Sequence, residues 1–126
     1  MIKYFLLLLS TISLLSCSKN NGKTDDKVLP VITLSSPTNG QTFTAGTTIN
    51  IVAAISDNNK LAEIHVHISN NATGQLVADI HRYPNASVYT LNETFQVQAG
   101  INYTIRVLAI DTSGNHETQT VTILVN

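Results

Sequence analysis

The chain has 126 residues, and its seven Lys and Arg side chains nearly balance its eight Asp and Glu side chains, for a formal net charge of −1. There is no basic cluster, which argues against a nucleic-acid-binding protein, because such proteins neutralise phosphates with Lys and Arg. The single cysteine excludes both an internal disulfide framework and a CxxC metal pair.

The first sixteen residues predict a signal peptide. Lys3 supplies a positive charge, and the apolar run 4–15 is shorter than the roughly 20 residues that a membrane span needs. The sequence LLSC that ends at Cys17 resembles a bacterial lipobox. This resemblance implies cleavage before Cys17 and attachment of acyl chains to it, which would anchor the protein durably. The alternative is a secreted protein that is cleaved elsewhere in the same region.

The segment that follows predicts a flexible tether over residues 17–29. It is rich in Asn, Lys, Gly and Asp and has too few apolar residues to bury a core. Ser18 follows the cysteine, in place of the Asp that would resemble an inner-membrane retention signal. We therefore expect the protein to lie in the outer membrane and to face either the periplasm or the cell surface. Residues 30–126 are long enough for one domain.

Hydrophobic periodicity predicts an all-β domain. From residue 30 onward apolar residues alternate with polar ones, and turn residues recur at short intervals, which is typical of an antiparallel β-sandwich. We predict seven strands and no helix, with a chain reversal at 57–60. The predicted strands cover residues 31–34, 47–56, 61–69, 75–81, 88–97, 103–110 and 118–125.

The sixth predicted strand contains a further signal. Tyr103 lies just inside this strand, shortly after Gly100, and so resembles a tyrosine corner, in which the hydroxyl bonds back to the preceding loop. Together with PVITLSSPTNGQTFTAGTTINI, SDNNKLAEI and FQVQAGINYTIRVLAIDTSGN, this arrangement resembles bacterial immunoglobulin-like domains, in particular uncharacterised lipoprotein domains of Bacteroidota. The resemblance implies a seven-stranded antiparallel Greek-key sandwich and no catalytic residues.

The stretch EIHVHIS, residues 63–69, raises the sharpest functional question. If the inward faces of the third and fourth predicted strands are matched, Ile68 opposes Leu76, and every other pair follows. The outward pairs in this register are Glu63 with His81, His65 with Asp79, and His67 with Val77. If the sixth strand lies beside the third, Arg106 joins the same outward face.

Three interpretations of this face remain open. Imidazoles with a carboxylate can bind Zn²⁺ or Cu²⁺, which would make Glu63, His65, His67, Asp79 and His81 a metal site. The face could instead respond to pH or bind a partner. It could also be an ordinary solvated surface, because cross-strand acid–histidine pairs give modest stabilisation by themselves.

Two other groups of residues are candidate binding sites. Asp57 and Asp111, with Asn58 and Asn115, offer the hard oxygen ligands that Ca²⁺ requires, although Asx residues also cap their own turns. In the stretch 82–89, which spans the loop before the fifth strand and the start of that strand, Tyr83 and Tyr89 could stack on sugar rings or simply pack the loop.

The sequence predicts no enzyme. It has no nucleophile elbow, no HExxH motif and no phosphate-binding glycine loop. We therefore expect a lipid-anchored envelope module that binds or scaffolds an unidentified protein or glycan, without a cofactor. The alternatives are a metal-binding lipoprotein that uses the histidine face and a structural spacer.

Overall fold

The computed structural model describes residues 25–126, and the predicted signal peptide and Cys17 lie outside these residues. The described chain forms strands and no helix. The strands are β1 (Val31–Ser36), β2 (Thr42–Phe43), β3 (Thr48–Asn70), β4 (Leu76–Arg82), β5 (Ala86–Gln96), β6 (Tyr103–Asp111) and β7 (His116–Val125). Among residues 25–126, no helix is long and apolar enough to cross a membrane.

The long strand β3 connects the two layers of a sandwich. Its first part, Thr48 to Ser56, pairs with β1 on one side and with β5 on the other. Its second part, Leu61 to Asn70, pairs with β4 and β6, and β6 continues to β7. The predicted all-β sandwich is thus confirmed. The sheet is mixed rather than purely antiparallel, because the short β2 pairs in parallel with β7.

The predicted chain reversal at 57–60 is wrong. These residues continue β3, which runs without a break from Thr48 to Asn70. The pairing of β3 with β5 is irregular between Ser56 and Leu61, and its pairing with β6 is irregular between Leu61 and Glu63. Such irregularities bend a strand and increase its twist, so one strand can leave one layer and enter the other. The turn-forming residues at 57–60 therefore mark a bend and not a reversal.

The core lies between the layers and follows the predicted period of two. The side chains at 49, 51, 53 and 55, at 64, 66 and 68, and at 103, 105, 107 and 109 are all buried. Tyr103 is fully buried, and its hydroxyl accepts a hydrogen bond of 3.1 Å from the backbone N–H of Gln98. The predicted tyrosine corner is confirmed.

The predicted register of the third and fourth strands is wrong by two residues. Ile68 pairs with Ala78, Val66 with Ile80, and Ser69 with Leu76, so that Val77 is the extra residue of a bulge. The predicted inward position of Leu76 is also wrong, because its side chain is 51% exposed on the outer face. Since side chains alternate with a period of two, a shift of two residues preserves the outward face and changes only the partners.

Candidate functional site

Strands β3 and β4 bring the predicted acid and histidine side chains together on the outer face of the sheet. In the observed register His65 lies opposite His81, and His67 lies opposite Asp79, in place of the predicted His65–Asp79 and Glu63–His81 pairs. We call Glu63, His65, His67, Asp79 and His81 the histidine cluster. The side chains shield one another, and only 16% of the His65 side chain is exposed.

Glu63 lies at the centre of one half of the histidine cluster. Its Oε1 atom is 3.0 Å from His65 Nε2 and 3.0 Å from His81 Nδ1. The ligand atoms of these three residues all lie within 4.8 Å of one another. Ligands at the usual Zn–N and Zn–O distances in a tetrahedral site are about 3.3 Å apart, so the spacing matches that of three ligands on one ion.

Asp79 lies at the other side of the two imidazoles. Its Oδ1 atom is 3.1 Å from His81 Nε2 and 3.9 Å from His65 Nδ1. Each of these two rings therefore has one nitrogen toward Glu63 and the other toward Asp79. Histidine ligands of metal ions commonly donate their second ring N–H to a carboxylate, which fixes the tautomer. Asp79 is placed for that role.

His65 carries an unsatisfied buried atom that bears on metal binding. Its Nδ1 is buried without a hydrogen-bond partner among the described residues. When Nε2–H donates to Glu63, Nδ1 is left as a lone pair facing a carboxylate. When Nε2 instead binds a cation, the ring proton moves to Nδ1 and faces Asp79. The unpartnered Nδ1 of His65 is therefore compatible with a metal ion at Nε2.

His67 has a different environment. Arg106, its partner on β6, places Nη2 2.6 Å from His67 Nδ1. A guanidinium can only donate, so His67 Nδ1 must accept, and the ring proton lies on Nε2, 3.2 Å from Asp79 Oδ1. The predicted place of Arg106 on this face is confirmed. If His67 bound a metal ion through Nε2, its ring proton would lie on Nδ1 and would face the N–H donor of Arg106. His67 is therefore a poor metal ligand in this arrangement.

The cluster shifts the pKa values of its members in opposite directions. Hydrogen bonds with Glu63 and then Asp79 raise the pKa of His81 above its usual value. The hydrogen bond with His81 is the main cause that lowers the pKa values of Glu63 and of Asp79. Burial lowers the pKa of His67, and the nearby Arg106 lowers it further, against the attraction of Asp79. His81 thus keeps its proton to a higher pH than an ordinary histidine, and His67 loses its proton at a lower pH.

The predicted calcium residues also meet. Carboxylate oxygens of Asp57 and Asp111 lie within 4.8 Å of each other and of Asp26, which sequence reasoning placed in the tether. Asp26 accepts from Asn58 Nδ2 at 3.2 Å through both oxygens, and Asp57 Oδ1 accepts from Asn59 N–H at 2.9 Å. The second oxygen of Asp57, Oδ2, is buried and has no hydrogen-bond partner among the described residues. Calcium binding here stays a prediction from the sequence.

Asp111 is the best-satisfied member of this second group. Burial would raise the pKa of Asp111, but hydrogen bonds from Asn115, Ser113 and Gly114 outweigh burial and hold it below its usual value. These bonds close the β6–β7 turn, and Asn115 Nδ2 also donates to the Asp26 carbonyl at 2.9 Å. Asp111 therefore caps the turn, and Asn115 links this turn to Asp26 at the start of the described residues.

The two tyrosines that were candidates for sugar stacking do not form one surface. Tyr89 packs against the core opposite Ile55. Tyr83 is 70% exposed and borders the histidine cluster, with its ring 6.4 Å from that of His81. The positions of Tyr83 and Tyr89 therefore do not support a sugar-binding site formed by the two rings together.

Sequence reasoning missed two features of this face. Arg106 was placed correctly, but its bond to His67 depends on side-chain geometry that no pattern encodes. The exposed position of Leu76 follows from the bulge at Val77, and the only signal for it was the polar NNATG turn just before.

Comparison with known proteins identifies a family. Residues 15–126 match the family described as "Domain of unknown function (DUF4625)". The chain belongs to this family. The expectation of an uncharacterised domain family is confirmed, and no curated protein matches the chain.

The fold of this DUF4625 chain is similar to that of several solved structures, among them fibronectin(III)-like modules. It is similar to the fibronectin(III)-like modules of CbhA from Clostridium thermocellum, with 24% identity over 75% of this chain and 94% of that chain, and a TM-score of 0.52. It is also similar to the superoxide reductase (neelaredoxin) from Ignicoccus hospitalis, with 9% identity over 78% of this chain and 80% of that chain, and a TM-score of 0.54. Likeness at this level of identity concerns the fold alone.

Proposed function

We propose that this DUF4625 chain is a lipid-anchored module of the bacterial outer membrane that binds a transition-metal ion, Zn²⁺ or Cu²⁺, on the outer face of β3 and β4. The observation that supports the site is the position of Glu63 Oε1, 3.0 Å from one nitrogen of each of His65 and His81. Two imidazoles and one carboxylate form a ligand set that suits these ions. The fourth position would be open to solvent or to an external ligand.

The charge of the site favours a dication. Glu63 and Asp79 have pKa values below their usual range and are ionised at neutral pH. With neutral imidazoles the two carboxylates bring two negative charges, which a divalent ion neutralises. Metal binding at Nε2 would place the ring proton of His65 on its buried Nδ1, which faces Asp79 Oδ1 at 3.9 Å. In this proposal Glu63, His65 and His81 are the ligands, and Asp79 orients the ring of His81 through its second nitrogen.

Calorimetric titration tests the metal site. The titration uses residues 18–126, which include the whole buried core. We expect one Zn²⁺ ion to bind per chain with a Kd on the order of micromolar, which corresponds to a binding free energy of about −8 kcal/mol. Glu63→Gln and His65→Ala should abolish this binding. His116→Ala on β7 is the matched control, since it removes the one histidine outside the cluster. Absence of heat, or equal binding in His65→Ala, would refute the metal site.

The membrane anchor is a separate part of the proposal. It is supported by the lipobox-like sequence that ends at Cys17 and by the polar segment after it. Mass spectrometry of the protein from its native membranes should find Cys17 at the N-terminus with acyl chains attached. A free thiol at Cys17, or a chain that retains residues 1–16, would contradict the anchor and leave the metal site untouched.

A further inference from the structure

A pocket lies beside the histidine cluster and is not part of the proposed metal site. It has a volume of about 400 Å³ and opens to solvent on the outer face of β3, β4 and β6. Its lining residues are His67, Ser69, Gly74, Leu76, Thr104 and Arg106. Volumes of roughly 300–1,000 Å³ are typical of sites for small molecules.

Arg106 gives this pocket a positive charge that the described residues do not neutralise. Its guanidinium donates to His67 Nδ1 at 2.6 Å, and it forms no ion pair within residues 25–126. Arg82, by contrast, is paired with Glu93 at 2.7 Å. A guanidinium has five N–H donors in a planar fork, so Arg106 keeps donors for a ligand. An anion with two oxygens matches this fork.

The rest of the pocket wall is part apolar and part polar. The bulge at Val77 turns Leu76 to the outer face, where its side chain is 51% exposed at the pocket edge. Ser69 and Thr104 contribute hydroxyl groups, and the Thr104 hydroxyl is bonded to Asn71 Oδ1 at 2.7 Å. The wall thus offers an apolar surface next to a cation.

His67 contributes to the pocket without competing for the anion. Its Nδ1 accepts from Arg106, and its Nε2 faces Asp79, so the ring holds the guanidinium in place from one side. Asp79 is on the far side of His67 from Arg106, and it is not a lining residue. The pocket therefore has a fixed cation and no carboxylate in its wall.

We propose that this pocket binds a small organic carboxylate, whose oxygens pair with Arg106 while its apolar part covers Leu76. This site goes beyond the proposed metal binding and does not require the metal. It would give the module a ligand-binding pocket directly beside the metal ligands, with His67 between them.

The test is an NMR titration of residues 18–126 in EDTA, so that metal cannot contribute. Benzoate is the probe, and benzamide is its neutral counterpart of the same shape. We expect benzoate to cause saturable shifts of the backbone amide signals around Ser69, Leu76 and Thr104. The Kd should be about 1 mM or weaker, which corresponds to a binding free energy of about −4 kcal/mol or weaker. Benzamide should cause none.

Matched variants locate the charge that is recognised. Arg106→Gln should abolish the benzoate shifts, with the spectrum elsewhere unchanged as evidence of folding, and Arg82→Gln should retain them. Leu76→Ser should weaken binding several-fold. The proposal is overturned if benzoate does not saturate, if Arg106→Gln still binds it, or if benzamide or inorganic phosphate binds equally well. Each of these results is independent of zinc binding.

Discussion

His65 and His81 lie directly opposite each other on β3 and β4, with their ring centroids 4.1 Å apart. This pairing places one nitrogen of each ring on the same oxygen of Glu63. A register that paired His65 with Asp79 would have separated the two imidazoles along the strands. The bulge at Val77, which sets the register, is therefore also what assembles the proposed metal site.

Asp79 should matter to zinc binding although it is not a ligand. We expect Asp79→Asn to weaken Zn²⁺ binding by about 10- to 100-fold, because the second ring nitrogen of His81 loses its carboxylate acceptor. His67→Ala should leave the affinity nearly unchanged, since Arg106 occupies the Nδ1 atom of His67. Calorimetry of the two variants measures both effects. A larger loss in His67→Ala than in Asp79→Asn would assign the ion to the other half of the cluster.

The histidines of the metal-free protein should titrate in a fixed order. Hydrogen bonds to Glu63 and Asp79 raise the pKa of His81, and burial lowers the pKa of His67. We therefore expect His81 to titrate above about 6.5, its usual value, and His67 below it. NMR titration of the imidazole Cε1–H signals measures both. In Asp79→Asn the midpoint of His81 should fall, and an unchanged midpoint would contradict the assigned hydrogen bonds.

The raised pKa of His81 also has a consequence for stability. The favourable interaction of its imidazolium with Glu63 and Asp79 is fully present below the unfolded-state pKa of about 6.5. It is lost as the pH rises through the higher folded-state pKa. The metal-free domain should therefore lose this contribution as the pH rises above about 6.5, and His81→Gln should remove this part of the pH dependence.

The tyrosine corner should make a measurable contribution to folding. Tyr103→Phe keeps the buried ring but removes the hydroxyl that accepts from the backbone N–H of Gln98. We expect the free energy of unfolding to fall by about 1 kcal/mol, as for a typical intramolecular hydrogen bond. Urea unfolding followed by circular dichroism measures the change. Tyr83→Phe, at an exposed position, is the control and should have little effect.

Asp111 should stabilise the domain only while it is ionised. Asp111→Asn places an amide N–H₂ where the carboxylate accepts from Asn115 Nδ2 at 2.7 Å, and we expect a loss of about 1–3 kcal/mol at neutral pH. Because the folded-state pKa is lowered, the contribution is complete above the unfolded-state pKa and is lost as the pH falls through the folded-state value. The unfolding free energies of the two proteins should therefore converge below about pH 4. A difference that stayed constant as the pH fell well below about 4 would contradict this account.

The sequence was sufficient to predict the core and the outward face. The alternation of Ile64, Val66 and Ile68 with polar neighbours fixed which side chains are buried, and Tyr103 followed from its place after a glycine turn. These features depend on a period of two, which the sequence displays directly. The outward position of all five cluster residues follows from the same period.

The partners of the histidines could not be predicted with the same rule. Matching Ile68 to Leu76 assumed a regular hairpin, whereas the bulge leaves Val77 unpaired and shifts the remaining pairs by two. The bend at 57–60 was likewise misread, because Asp and Asn favour both turns and strand irregularities. The meeting of Asp26 with Asp57 and Asp111 required the path of the N-terminal segment, which local pattern does not encode.

The most direct test of the central claim is the anomalous scattering of zinc-soaked crystals of residues 18–126, measured on both sides of the zinc absorption edge. We predict one strong peak between Glu63 Oε1, His65 Nε2 and His81 Nδ1, at about 2.0–2.1 Å from each atom, with Asp79 bonded to the second nitrogen of His81. A peak on His67 and Asp79 instead, or no peak in the histidine cluster at a zinc concentration that saturates calorimetry, would contradict it.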